Sequence, residues 1–522
     1  VSRRVFLDRL SRAALSAAAG LRPGPAPAQA PAVVTRDSVR PRVTHGVASG
    51  DVARDRAIVW SRADRPSRMH VEWATNESFR DARRVAAPAA LAETGFTAHV
   101  DLAELPAGET IFYRVAFQDL SDVRVWSAPV VGRFRSVPAV RRDVKIAFTG
   151  DTCGQGWGIN LEWGGLRLYE TMRREQPDLL VHLGDNVYAD QPIAAEVQLD
   201  DGTLWRNVVT PEKSKVAETL QEFRGNYLYN LMDEHVRRFN AEVPQIALWD
   251  DHEVRDNWYP TRRLETDARY REKSVALLAA RAKRAFLEHL PIRVDAFDPE
   301  RLFRSFRYGP SLEIFAIDMR SYRGANSPNR QAAPSVDTAL LGSAQVRWLK
   351  ERLAASTATW KLVASDMPIG VVVGDGPTDF EGVANRHDGP PLGRELEIAS
   401  LLRFIRDRRI HNVVWITADI HYCAAHYYDP TQARFTEFMP FWEFVAGPAH
   451  AGTFGPAVLD STFGPQLRFL GIPAGMKPNR PPSVGLQFFG TFEVDGHSDA
   501  ARVRLHDGSG ARLFEVELQP VR

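Results

Sequence analysis

The sequence predicts an α/β protein in which two β-sheets are sandwiched and flanked by helices, with a small β-sandwich domain in front of them. Two observations carry that prediction. Between residues 43 and 138, short segments alternate polar and apolar residues and are separated by turn formers. From Val144 onward, apolar runs of strand length alternate with stretches of helical periodicity, and several of the runs end on carboxylate turns.

At the N-terminus, Ser2-Arg3-Arg4-Val5-Phe6-Leu7 resembles a twin-arginine export signal. It is followed by small residues over 13–21 and by Ala28-Gln29-Ala30, a small-residue cleavage site. Residues 1–30 are therefore expected to direct export to the periplasm or outside the cell, with the twin-arginine machinery as partner. The apolar run is too short to span a bilayer, and no later segment is long and apolar enough to do so. A Pro-rich linker occupies residues 31–42. Segments 57–60, 69–73, 96–102, 110–117 and 132–137 then alternate as half-buried strands, which predicts a sandwich of the fibronectin type over residues 43–138.

In the larger domain, residues 143–522, runs 144–148, 179–183, 245–248, 312–317, 360–364 and 413–417 read as buried strands. Helices are expected at 165–174, 216–239, 274–290, 343–354 and 393–408; the last places Leu396, Ala399, Leu402 and Ile405 on one face. The C-terminus returns to strand at 485–494, 501–505 and 513–518. At 522 residues the chain can bury a large core. Its 66 basic and 65 acidic residues leave a net charge of +1, which gives no footing for a nucleic-acid-binding surface. A monomer is expected.

In open α/β sheets, chemistry collects at the carboxyl ends of strands. Five strand ends here carry oxygen or imidazole donors: Asp151, Asp185 with Tyr188, Asp250 to Glu253, Asp366, and Asp419 with His421. Each turn alone is a weak signal, because Gly and Asp are favoured in turns. Their ordered recurrence points to a single metal site. The set resembles the metallophosphatase superfamily that includes the purple acid phosphatases and, more closely, the PhoD-type alkaline phosphatases. The resemblance rests on His45-Gly46-Val47-Ala48-Ser49-Gly50-Asp51, Asp185 to Tyr188, Trp249 to Glu253 with Asn257-Trp258, and Ile416 to His421. It covers nearly the whole chain.

The resemblance implies a four-layer metallophosphatase-like sheet sandwich and a site holding Fe3+ and Ca2+. Asp151, bridging Asp185, Tyr188 and His421 match the ferric ligands. The best-known PhoD pattern has Cys where this chain has Asp151, so Cys153, two residues on, stays open as an alternative ligand. At the second position the superfamily usually supplies Asn and two His, whereas this chain offers Asp251, Asp366 and Asp419. An all-carboxylate set favours a hard, oxygen-seeking ion such as Ca2+, with Asp256 and Asn257 as further donors or as turn residues. His252 is the expected catalytic residue, protonating the leaving oxygen, or else orienting a neighbouring ligand. Glu253 is expected to hold the turn.

The implied activity is that of a secreted alkaline phosphatase, which hydrolyses small phosphate esters by attack of metal-activated hydroxide. Two alternatives remain: a phosphodiesterase or phospholipase D-like enzyme on the same site, and a surface-binding protein with an inactive scaffold. Segments 374–394 and 441–455, with Trp442, Phe444 and Phe454, are expected to form a lid that decides between monoester and diester. No arginine is singled out as phosphate clamp among Arg255, Arg320 and Arg323. Asn160, beyond the glycine-rich stretch 154–158, is a further candidate substrate contact. Cys153 and Cys423 are expected as two buried thiols, with a disulfide as the alternative.

Overall fold

Two sheets lie face to face because the chain alternates parallel strands with helices that can cover only their outer sides. The computed structural model describes residues 36–522. The export signature at 1–30 and linker residues 31–35 lie outside the described residues. Asp37–Val39 form a single 3-10 turn, and residues 41–522 form one compact unit.

The first sheet has nine strands, in spatial order Arg512–Leu518, Ala501–Asp507, Phe488–Val494, Val144–Thr149, Leu179–Leu183, Gln245–Leu248, Val43–Ala53, Arg56–Ala63 and Thr97–Leu102. The second has seven: Arg304–Tyr308, Leu312–Ala316, Trp360–Ala364, Val413–Thr417, Phe441–Val445, Ala424–Tyr428 and Pro465–Leu470. Ile146, Phe148, Val181, Leu183 and Ile246 of the first meet Ile314, Leu362, Val414 and Ile416 of the second in one continuous core. On the outer face of the second sheet, Phe315, Val363 and Trp415 pack against Leu349 and Leu353 of helix Gly342–Ala355 and Ile398, Leu402 and Ile405 of helix Glu395–Asp407. Helices Arg167–Arg174, Glu234–Glu242 and Val275–His289 cover the outer face of the first. The result is the expected four-layer sandwich.

Within each sheet the central strands are parallel. Val144–Thr149, Leu179–Leu183 and Gln245–Leu248 run together, as do Leu312–Ala316, Trp360–Ala364, Val413–Thr417 and Phe441–Val445. All the donor-bearing turns identified in the sequence follow these strands, so parallel pairing by itself brings them to common edges.

Three features differ from expectation. The helix expected over 216–239 is two, Leu220–Asn230 and Glu234–Glu242. Between them Asp233 caps the second helix by accepting from the backbone N–H groups of His235 and Val236, a stronger local demand than continuing the helix. Strand Val43–Ala53 pairs with Arg56–Ala63 and meets Gln245 through Gly50, so part of the N-terminal segment extends the large sheet. The remaining N-terminal strands, Arg83–Ala90, Ser67–Ala74, Thr110–Asp119 and Val130–Arg135, form a separate antiparallel sheet. Finally, Phe441–Val445 is not lid but an interior strand, with Phe444 fully buried and Trp442 stacked on it. Its aromatic content suits a buried strand as well as a loop wall, and pairing on both sides decides for the strand.

Candidate metal centre

Each donor turn bends sharply as it leaves its strand. Asp151, Asp185, Asp419 and His421 all adopt left-handed backbone, with φ of 62, 50, 64 and 57°. Such conformations cost non-glycine residues free energy and collect where a side chain must be re-aimed. Gly184 makes one of these turns possible. Its φ is +112°, and a Cβ there would lie 2.5 Å from Cβ of Asp250.

The turns bring Asp151, Asp185 and His421 into one group whose donor atoms lie within 4.8 Å of one another. The same limit gathers Asp185, Asp251 and His252 into a second group, so Asp185 is common to both. Tyr188 joins the first: its hydroxyl is 2.9 Å from His421 Nε2, while His421 Nδ1 donates to the carbonyl of Gly452 at 2.6 Å. That bond leaves Nε2 as the acceptor nitrogen, free to ligate. Buried Lys213 donates to the Tyr188 carbonyl at 2.8 Å and fixes that turn from behind.

The electrostatics show a site short of positive charge. Both carboxylate oxygens of Asp151 are buried without a hydrogen-bond partner. Burial pushes the Asp151 carboxyl up to about 8 and that of Asp185 well above the usual carboxylate range, the latter with Asp251 adding to it. Burial also holds the His421 imidazole down to about 4 and raises the Tyr188 phenol, with Asp185 adding to the latter. Carboxylates, a phenol and a neutral imidazole, all inward-facing and under-satisfied, fit a hard cation. Asp151, not Cys153, faces this group. Cys153 and Cys423 are both buried free thiols.

His252 sits against this cluster and stacks on Tyr188 with ring centroids 4.3 Å apart. Its Nδ1 bonds Asp190 at 2.8 Å, and its Nε2 lies 3.9 Å from both Asp251 and Asp256. Burial disfavours its charge, but Asp190, Asp251 and Asp185 outweigh that and hold its pKa well above the ordinary value. Asp190 was not legible as a site residue. It also accepts from the backbone N–H of Asp256 at 2.8 Å and so ties the helix-like turn after Asp251 to the turn after Tyr188. Asn257 donates its backbone N–H to Asp251 at 2.6 Å, which assigns it to that turn. Glu253, fully buried, accepts from the backbone N–H groups of Asn186 at 2.6 Å and Asp250 at 2.8 Å, holding the turn as expected.

Asp366 and Asp419 take a different partner. Both face Arg320, at 3.1 and 3.5 Å, and Arg320 also contacts Asp250 and Glu381. Arg320 is fully buried, so it is not an open phosphate clamp. Arg323 is buried and donates to the Glu381 carbonyl. Asp250 stood in the sequence only as part of the turn Asp250 to Glu253, with no sign of an arginine partner, and Glu381, 61 residues from that arginine, had no signal at all. Phe454, of the expected lid residues, packs edge-on against His421 with centroids 5.5 Å apart. In segment 374–394, Asp375 accepts from Arg262 and Asn326 at 3.2 and 2.9 Å, which seats the hairpin Gly374–Asp375 and Asp379–Phe380 beside Asn257. Asn160 is buried and accepts from the backbone N–H of Trp163 at 3.1 Å, a turn role.

Comparison with known proteins agrees with this geometry. The sequence model of the PhoD-like phosphatase family matches residues 147–505, and that of the PhoD-like phosphatase N-terminal domain matches residues 27–138. Alkaline phosphatase D of Bacillus subtilis (strain 168) is 29% identical over 404 residues, which is 72% of this chain and 64% of that protein, less than two thirds of its length. Among solved structures, that of PhoD superposes with a TM-score of 0.66 at 22% identity, covering 92% of each chain. Purple acid phosphatase PPD1 from yellow lupin (Lupinus luteus) seeds superposes with a TM-score of 0.54 at 13% identity, covering 92% of this chain and 74% of that one. These two likenesses establish the fold.

Proposed function

The chain belongs to the PhoD-like phosphatase family, and from that premise we propose that it is an exported alkaline phosphatase that hydrolyses phosphate monoesters at a centre of iron and calcium. The observation that carries the proposal is Asp185, a buried carboxylate shared by two donor groups built from the ends of different strands.

Asp151, Asp185, Tyr188 and His421 would hold the ferric ion; phenolate and carboxylate are hard donors that suit it. Asp185 and Asp251 would hold calcium, with Asp366, whose Oδ1 has no hydrogen-bond partner, and Asp419 as further oxygen donors. When bound, such ions supply Lewis acidity to a water and to the phosphoryl oxygens. The protein's own share is positional. Asp190 takes the Nδ1 proton of His252 in a hydrogen bond and turns Nε2 toward the cluster. From there Nε2–H can be given to the leaving oxygen as its bond to phosphorus breaks. Glu253 keeps the two acidic turns at fixed separation, so that donors on different loops act as one site.

Export through the twin-arginine route is part of the proposal and is supported by the signature at residues 1–30. Among the described residues, no helix is long and apolar enough to cross a membrane. The proposed division is signal 1–30, linker 31–42, β-rich domain 43–138 and catalytic domain 143–522, acting as a monomer.

The test compares kcat/KM on p-nitrophenyl phosphate and bis(p-nitrophenyl) phosphate, using protein carrying iron and calcium, across alkaline pH. Preference for the monoester supports the proposal. Preference for the diester moves the activity to a phosphodiesterase. No turnover of either, with metals bound, leaves a scaffold.

A further inference from the structure

Arg320 is a buried charge to which the proposed chemistry gives no role. It follows strand Leu312–Ala316, has no exposed surface, and is held in place by Asp318, which accepts from the backbone N–H groups of Arg320 and Ser321 at 3.0 and 2.9 Å. Its guanidinium meets four carboxylates from four separate segments. Nε contacts Asp250 at 2.6 Å and Asp366 at 3.1 Å, Nη1 and Nη2 contact Glu381 at 2.8 and 3.2 Å, and Nη2 contacts Asp419 at 3.5 Å. Asp250 belongs to the first sheet's edge, and Asp366 and Asp419 to the second's.

Three of these acids, Asp250, Asp366 and Asp419, give the guanidinium only one oxygen each. Asp250 Oδ2 and Asp366 Oδ1 are buried and have no hydrogen-bond partner. Four buried carboxylates against Arg320 and the neighbouring buried Arg323 leave an excess of negative charge, which is costly unless another cation shares it. Arginine cannot shed its proton, so its own contribution is permanent.

We propose that Arg320 is a built-in cation of the centre, standing where a divalent ion would otherwise be required and assembling Asp250, Asp366, Asp419 and Glu381 before any metal arrives. It is a positioning residue and touches no substrate. The inference rests on the reading of this site as a metal centre. It explains why Asp366 and Asp419, the carboxylates expected to ligate calcium, converge on a side chain, with Asp366 Oδ1 left unpartnered. A planar donor fork that reaches all four acids also fixes the spacing of two sheets at the edge where they must share ligands.

The experiment counts cations in the purified full chain and follows its melting temperature, neither of which needs turnover. Wild type, Arg320→Gln and Arg320→Lys are dialysed against calcium, and bound calcium per chain is measured by elemental analysis. Melting is then recorded in calcium and in chelator. Arg320→Gln is expected to hold one more calcium per chain than wild type and to lose several-fold more melting temperature than wild type on chelation. Arg320→Lys, which keeps the charge, should hold the wild-type number. Equal counts and equal calcium dependence in Arg320→Gln and wild type overturn the proposal. If Arg320→Gln does not fold in any calcium concentration, Arg320→Lys decides: the wild-type count upholds the proposal, and an extra calcium overturns it. A wild-type chain that binds no metal would instead overturn the metal-centre reading, which separates the two failures.

Discussion

The two halves of the centre handle buried negative charge in opposite ways. Around Asp151, Asp185, Tyr188 and His421 the cationic neighbours stand aside, His252 stacking on the Tyr188 ring and Lys213 reaching only the Tyr188 carbonyl, and both Asp151 oxygens lack a partner. Around Asp250, Asp366, Asp419 and Glu381 a guanidinium already sits in the middle. The first half is complete only with an ion, whereas the second is partly neutralised by the chain itself. The difference teaches that acidic residues at strand ends do not all report the same thing, since some wait for a metal and others are already paired.

The comparison breaks most completely at Asp185, which faces both groups around the first half. Asp185→Asn should abolish turnover of p-nitrophenyl phosphate and lower bound iron; unchanged iron content and rate would remove it from the centre. Next is Asp190→Asn, which loosens His252 without touching the ligands. A loss of about 10–100-fold in kcat with little change in KM is expected, as for groups that orient a functional imidazole, and steady-state kinetics would show it. A larger rise in KM than fall in kcat would contradict that role.

Gly184→Ala sharpens the comparison where the halves meet. An added methyl would press on Asp250 from a left-handed backbone position. A destabilisation of about 1–3 kcal/mol by chemical denaturation is expected from the strained backbone alone. A further effect is a pH dependence confined to the metal-free protein. Burial raises the folded Asp151 carboxyl from 3.8 to about 8, so between those values the folded state binds more protons than the unfolded state. Stability is therefore present below about pH 4 and lost as pH rises through about 8. The chelated chain should melt lower in alkaline than in mildly acidic buffer, and reloading with metal should flatten that slope. A chelated chain whose melting temperature rises with pH would show that Asp151 is not held protonated.

Much of this was legible in the sequence. Val144–Thr149, Leu179–Leu183, Gln245–Leu248, Trp360–Ala364 and Val413–Thr417 read as strands from apolar runs alone, because a strand covered on both faces needs no polar alternation. The acidic turns at their ends were legible for the same reason: each lies within a few residues of its strand. Strands such as Phe441–Val445 and Ala424–Tyr428 were not, since their identity depends on neighbours far along the chain. Asp190 escaped because its role is a hydrogen bond to His252, 62 residues away.

By itself the sequence determined most of the strands and helices, the candidate donors Asp151, Asp185, Tyr188, Asp251 and His421, and the family resemblance, because these are encoded in local periodicity and short motifs. Only the tertiary structure decided which acids gather around Asp185 and which meet Arg320. Charge compensation acts through distances of a few ångströms between segments that the chain itself keeps far apart, and no local pattern records whether a buried carboxylate will meet a metal or a guanidinium.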